Sequence, residues 1–234
     1  MNILNMSNLT KNDLLVKDNK GNTCLHNMAY GIFVDMDNEY DENNLNGLYG
    51  RIFEYINHPN ISSELFEMVN NDQDTFLMVN PYLIKVVLDS QYTTDKMLKM
   101  VNKYDQSFFS NLCSTYTFLG ERFIKSKYFN EGYLTDSVAI FQTNAMNYIC
   151  VNDYTDLFDL ILESPVCNDN IINSVDENNH TPISYCIISG NNNNLTKLLN
   201  SKYDLTFSYN KIYHERRNLL MLATLSSPII FKEI

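Results

Sequence analysis

Apolar triplets recur in one phase along this chain, and that recurrence restricts its architecture more than any other feature. Counted from Thr181, offsets of 14, 17 and 18 fall on Leu195, Leu198 and Leu199; counted from Asn144 they fall on Phe158, Ile161 and Leu162. If the first copy carries a 15-residue insertion (52 − 37), the same offsets from Thr23 give Ile52, Tyr55 and Ile56. Residues at i, i+3 and i+4 share a helical face. The stretch from Asp176 to Leu199 shows the unit. Thr181 is placed to accept from the free N–H groups of a first helical turn, and Pro182 sits where a missing N–H costs nothing. Gly190 supplies the positive φ that ends the helix, and a second short apolar helix follows. Helices this short cannot bury an apolar face alone, so neighbouring copies have to cover it.

Copies anchor at Thr23, Thr75, Ser107, Asn144, Thr181 and Asn218. The last three steps are 37 residues each (144 − 107, 181 − 144, 218 − 181), after steps of 52 and 32. Residues 1–12 are expected to be a flexible N-terminus and 13–234 a single array, with an acidic insertion over 33–47. Apolar patches before the anchors, such as Leu14-Leu15-Val16, Leu65-Phe66, Met97-Leu98 and Ile171-Ile172, give each connector its own short segment covering the stack. Pro59 and Pro165, each 16 residues before an anchor, stop the second helix. Pro81 shortens the second copy and leaves Tyr82 to Leu88 as its second helix. The third copy is degenerate, with a helical Phe118–Phe129; in the fourth, Asp156 is read as the cap of the helix carrying Phe158. The final copy leads to Pro228–Ile234, an apolar end without the polar cap that arrays normally carry, so it is either truncated or covered by a partner.

The net charge of −11 and pI near 4.7 argue against nucleic acid or an anionic membrane as partner. That acidity is either a solubility feature or a preference for basic segments. Asn makes up about one residue in seven, which fits an AT-rich coding sequence, and Asn191–Asn194 reads as a helix–helix turn lengthened with polar residues. No stretch reaches the roughly 18 apolar residues of a membrane helix, and Met1–Met6 has no signal-peptide character. Five cysteines without a CxxC pair point to a reducing, cytoplasmic setting, with Cys113, Cys150 and Cys186 as small core residues. The acidic insertion (Asp35, Asp37, Glu39, Asp41, Glu42) has Tyr40 and Asn46 where a calcium loop requires Gly and Glu, so it reads as a solvated loop. No phosphate loop, nucleophile elbow or zinc motif is present, and His26, His58, His180 and His214 lack ligand spacing. No metal or cofactor is expected, and no enzyme.

The segments Asp18…Gly21-Asn22-Thr23…Leu25-His26 and Asp176…Thr181-Pro182-Ile183…Gly190-Asn191…Leu198-Leu199 resemble the ankyrin repeat. The composition is similar to that of divergent ankyrin proteins from giant DNA viruses of amoebae or from AT-rich protists. The 37-residue period exceeds the ankyrin period of roughly 33. The resemblance implies an all-α, helical-hairpin solenoid with long connectors and few or no β-hairpin fingers. It also implies a concave surface lined by the residue four after each anchor: Asn27, Val79, Asn111, Tyr148, Tyr185 and Leu222. Tyr148 and Tyr185 either form an aromatic pair that anchors a partner or pack between repeats. Asp176, Glu177 and Asn178 are fingertip contact candidates, and His26 is expected to bond within its own turn. The implied function is a scaffold for a protein partner such as a host factor. The alternative is a structural, virion-associated component self-associating through residues 228–234.

Overall fold

The computed structural model describes residues 10–36, 55–114, 119–135, 137–138, 143–152, 154–213 and 216–226, and these are mostly helical. Several helical segments start where a short polar side chain takes up orphan N–H groups. Thr75 Oγ1 accepts the Met78 N–H at 3.3 Å, Asn144 Oδ1 that of Asn147 at 2.8 Å, and Asn218 Oδ1 that of Met221 at 2.9 Å. Ser107 and Ser110 cap each other, N–H to hydroxyl, at 2.9 and 3.1 Å. Thr181 and Ser184 form a capping box. Ser184 Oγ accepts the Thr181 N–H at 3.0 Å, while the Thr181 hydroxyl is bonded to that of Tyr213 at 2.8 Å. Pro182 opens the following helix and Gly190 closes it with φ 76°.

Contacts divide the chain into two compact units, Met1–Asn111 and Leu112–Ile234. In the first unit, α1 (Lys11–Leu14) is closed by a Thr10–Asp13 capping box, so helix begins inside the supposed flexible terminus. Next come α2 (Cys24–Met36), α3 (Ser63–Phe66), α4 (Phe76–Val79), a 3₁₀ turn (Pro81–Leu83), α5 (Ile84–Val87), α6 (Asp95–Lys99) and α7 (Phe108–Ser114), which crosses the boundary. Helix α2 runs through the first residues of the expected insertion, and the remainder of the insertion, with Ile52, lies outside the described residues. Pro81 does cut the first helix of this copy to four residues, Phe76–Val79. Helix α4 packs on α2, and Phe66 meets Phe76 edge to face at 5.2 Å inside the core.

The second unit contains α8 (Gly120–Ile124), α9 (Gly132–Thr135) and the antiparallel pair β1 (Ser137–Val138) and β2 (Thr143–Asn144), in register Ser137 to Asn144. It continues with α10 (Ala145–Val151), α11 (Thr155–Glu163), α12 (Asp169–Ile172), α13 (Pro182–Ser189), α14 (Asn192–Leu199), α15 (Thr206–Asn210) and α16 (Leu219–Ser226). Helix α13 lies against both α10 and α16, and α14 against α11. Phe158, Ile161, Leu195 and Leu198 are fully buried, and Leu162 and Leu199 half-buried. Helix α11 stops at Glu163 ahead of Pro165. Its N-cap is Tyr154, with Asp156 in the first turn, so Asp156 is not the cap expected. The connectors carry their own short helices, α12 and α15, joined by the Asp204 N–H donating to Asp169 Oδ1 at 3.0 Å and Asn173 Nδ2 to the Asp204 carbonyl at 2.7 Å.

The Asn191–Asn194 run is more than a polar turn. Asn191 Nδ2 donates to the carbonyls of Cys150 (3.1 Å) and Asn152 (2.9 Å), and Asn194 Nδ2 donates to that of Ile149 (3.2 Å). These are carbonyls at the C-terminal end of α10, which its own helix leaves without partners. Residues 228–234 lie outside the described residues. Among the described residues no helix is long and apolar enough to cross a membrane.

Candidate functional site

One loop recurs ahead of the helices. In Asp18–Asn22, Asn70–Asp74, Asn102–Gln106 and Asp176–His180 the first N–H donates to the last carbonyl, at 2.9, 3.0, 2.9 and 3.1 Å. The first residue's Oδ1 accepts the N–H of the third and the fifth, as in Asp18 with Lys20 (2.8 Å) and Asn22 (2.9 Å). Asn70, Asn102 and Asp176 repeat both bonds. The fourth residue takes positive φ: Gly21 76°, Gln73 62°, Asp105 58°, Asn179 64°. Tyr213–Arg217 keeps the backbone bond (2.7 Å) and Arg216 its φ of 59°, without a side-chain acceptor in first place. The sequence showed this loop through Asp18 and Asp176. Asn70 and Asn102 escaped notice, although an amide oxygen accepts as a carboxylate does.

In the first unit these loops are tied in a ladder. The Asn71 N–H donates to the Lys20 carbonyl and the Lys103 N–H to the Asp72 carbonyl, both at 3.0 Å, and Lys103 pairs with the Asp72 carboxylate. Gly21 is required twice over, by its φ and because an added Cβ would stand 2.8 Å from the Asn71 backbone nitrogen. Strand pairing beside the loops is minimal: single bridges Val69–Thr75 and Val101–Ser107, besides β1–β2.

Between the first loop and α2 opens a cleft of about 450 Å³ lined by Asp18, Asn19, Lys20, Asn22, Asn27 and Tyr30. Asn27 is exposed and donates from Nδ2 to Asp18 Oδ2 at 3.4 Å. Tyr30 is 44% exposed; burial raises its phenol pKa first, and the charges of Asp74, Asp72 and Asp18 raise it further. Asn22 is 4% exposed, donates from Nδ2 to Asp18 Oδ2 at 3.3 Å, and leaves its Oδ1 without a partner. Behind the wall, His26 Nδ1 accepts the Thr23 N–H at 3.2 Å, the in-turn bond expected, and its Nε2 reaches the Asp74 carbonyl of the next loop at 2.9 Å.

The other sequence candidates fare differently. Asn111 is half-buried on α7. Tyr148 is half-buried with its ring 6.4 Å from that of Tyr154, and burial pushes its phenol up to about 12. The Tyr185 hydroxyl donates to Asp176 Oδ2 at 2.6 Å, and its ring lies 5.2 Å from His180. Asp176 also accepts the Thr143 hydroxyl at 2.7 Å. Burial would raise its carboxyl, but the Tyr185 and Thr143 hydroxyls and the His180 N–H bring it below the usual range. Half-buried Asp176 thus serves as an internal brace, while Glu177 and Asn178 are exposed beside it. Leu222, at 6% exposure, is core and not partner surface. Helix α16 turns it inward with Ala223 and leaves Leu220, Met221 and Leu225 outside.

His180 Nδ1 lies 3.1 Å from Ser184 Oγ, but that hydroxyl is fully buried and donates to the Thr181 carbonyl at 2.8 Å. All five cysteines are free thiols, and burial raises those of Cys113 and Cys150, keeping them protonated. Among the described residues no three His, Cys, Asp or Glu side chains gather as metal ligands. Compared with protein-family models and with curated proteins, the chain matches none.

Proposed function

We propose that this protein is a non-enzymatic, ankyrin-like binding module that receives a protein partner between a loop tip and the adjoining first helix. The observation that carries this reading is the cleft at Asp18, Asn22, Asn27 and Tyr30, formed where a repeated loop leaves its tip beside an exposed helical face. The Ser184 hydroxyl is bonded and the Cys113 and Cys150 thiols stay protonated, which favours recognition over covalent chemistry. Five free thiols and a strongly acidic surface suit a reducing cytoplasm and a partner that is neither nucleic acid nor membrane. A photo-crosslinking residue placed at Asn27 should capture a discrete protein, and one at Lys202 in the other unit should not. Capture from Lys202 alone, or substrate turnover by the purified protein, would overturn the proposal.

A second reading, assembly through the C-terminal unit, is favoured by α16, where Leu220, Met221 and Leu225 are 48, 51 and 66% exposed. Concentration-dependent self-association that Leu225→Lys abolishes would select it; a monomer at all concentrations would dismiss it.

A further inference from the structure

Resting on the binding-module reading, the geometry points to an arginine side chain of a basic peptide segment as the group the first-unit cleft recognises. Three features converge on a flat, cationic donor. The Asp18 carboxylate uses Oδ1 for its own loop, while Oδ2 receives only the longer contacts from Asn22 (3.3 Å) and Asn27 (3.4 Å). Asn22, nine-tenths buried in the cleft wall, holds a carboxamide oxygen with no donor. An enclosed acceptor left unpaired is costly, and a small rotation of that carboxamide would present it to a group entering from the cleft. Tyr30, 44% exposed, brings an aromatic ring to the same wall.

A guanidinium fits this set better than an ammonium. It donates in a fixed fork to two acceptors and stacks its plane on an aromatic ring, whereas lysine offers a compact charge that prefers its water. The cations nearby are partly committed: Lys103 is paired with Asp72 and Lys17 Nζ donates to the Val69 carbonyl at 2.6 Å, leaving Lys20 on the cleft wall with Asp18.

The repeats themselves supply the variant. Asn70 and Asn102 build the same loop with an amide in first place, so Asp18→Asn removes the charge and keeps the turn. Short glycine–serine peptides with one central arginine, lysine or citrulline are titrated into the full-length, isotope-labelled protein and followed by NMR. The arginine peptide should shift the Asn22 carboxamide and Tyr30 ring resonances and bind about tenfold more tightly than the citrulline peptide, a difference of about 1.4 kcal/mol. Asp18→Asn and Tyr30→Ala should each remove that preference. Unmoved Asn22 and Tyr30 resonances, equal binding of the three peptides, or an unchanged preference in Asp18→Asn overturns the inference. A crosslinked partner at Asn27 without arginine preference sinks the inference alone; loss of both sinks the binding-module reading too.

Discussion

At the scale of the residue, His26 joins sequence-local capping to packing between repeats. Its Nδ1 accepts the Thr23 N–H, so the proton sits on Nε2 and is donated to the Asp74 carbonyl. Burial is the largest influence on the ring and lowers its pKa; the bond to Asp74 opposes this without cancelling it. The unfolded chain then takes up a proton more readily than the folded one. The neutral ring's stabilisation is complete above the ordinary value of 6.5 and is lost as pH falls from there through the lowered folded value. Urea midpoints should fall between neutral and mildly acidic pH in the wild type, and His26→Gln should lack that slope. Asn194 is a second such residue, fully buried and donating to the Ile149 carbonyl. Asn194→Ala leaves that carbonyl unpaired and should cost about 1–3 kcal/mol in chemical denaturation. The exposed neighbour change Asn193→Ala should stay within about 0.5 kcal/mol.

Elements owe their stability to one another more than to themselves. Helices of four to nine residues, such as α4 and α11, are too short to persist alone in water. They persist because α11 and α14 shield each other's apolar faces, with Phe158, Ile161, Leu195 and Leu198 all sealed from solvent. Leu198→Ala and Ile161→Ala should each cost about 2–5 kcal/mol, read from the shift in denaturation midpoint. Asp37→Ala, the neutral comparison the sequence suggested, lies outside the described residues. The Lys197–Asp159 pair across the same helices, at 2.5 Å, is 30 and 48% exposed and adds far less.

At the scale of the whole molecule, charge is the controlling quantity. Seventeen basic side chains face 28 acidic ones, and pairs such as Lys11–Glu64 (52 and 59% exposed) and Lys125–Glu121 (63 and 59%) are open to solvent. Raising the ionic strength weakens those pairs slightly and screens the net −11 at the same time. Because exposed pairs contribute little, the second effect wins, and salt should raise the melting temperature in a calorimetric series. A falling melting temperature would show that the surface pairs, and not the net charge, dominate. Contacts also group the chain into two compact units, Met1–Asn111 and Leu112–Ile234. A repeat in sequence sets the order of elements, but the degenerate stretch after Ser107 carries too few apolar positions in phase to fix how contacts are shared out.

Legible in the chain alone are the anchors, the Thr-Pro helix start, the Gly190 stop and the shortened second copy. All of these rest on contacts a few residues apart, which a short stretch of chain specifies alone. Where the polar side chains find partners depends on packing: Asn191 bonds at Cys150 and Asn194 at Ile149, from 41 and 45 residues away. It likewise turned Leu222 inward and seated the His26 ring against the Asp74 carbonyl, 48 residues away. A hydrogen-bond donor carries no mark of which distant carbonyl it will meet, so these partners exist only once the helices are packed.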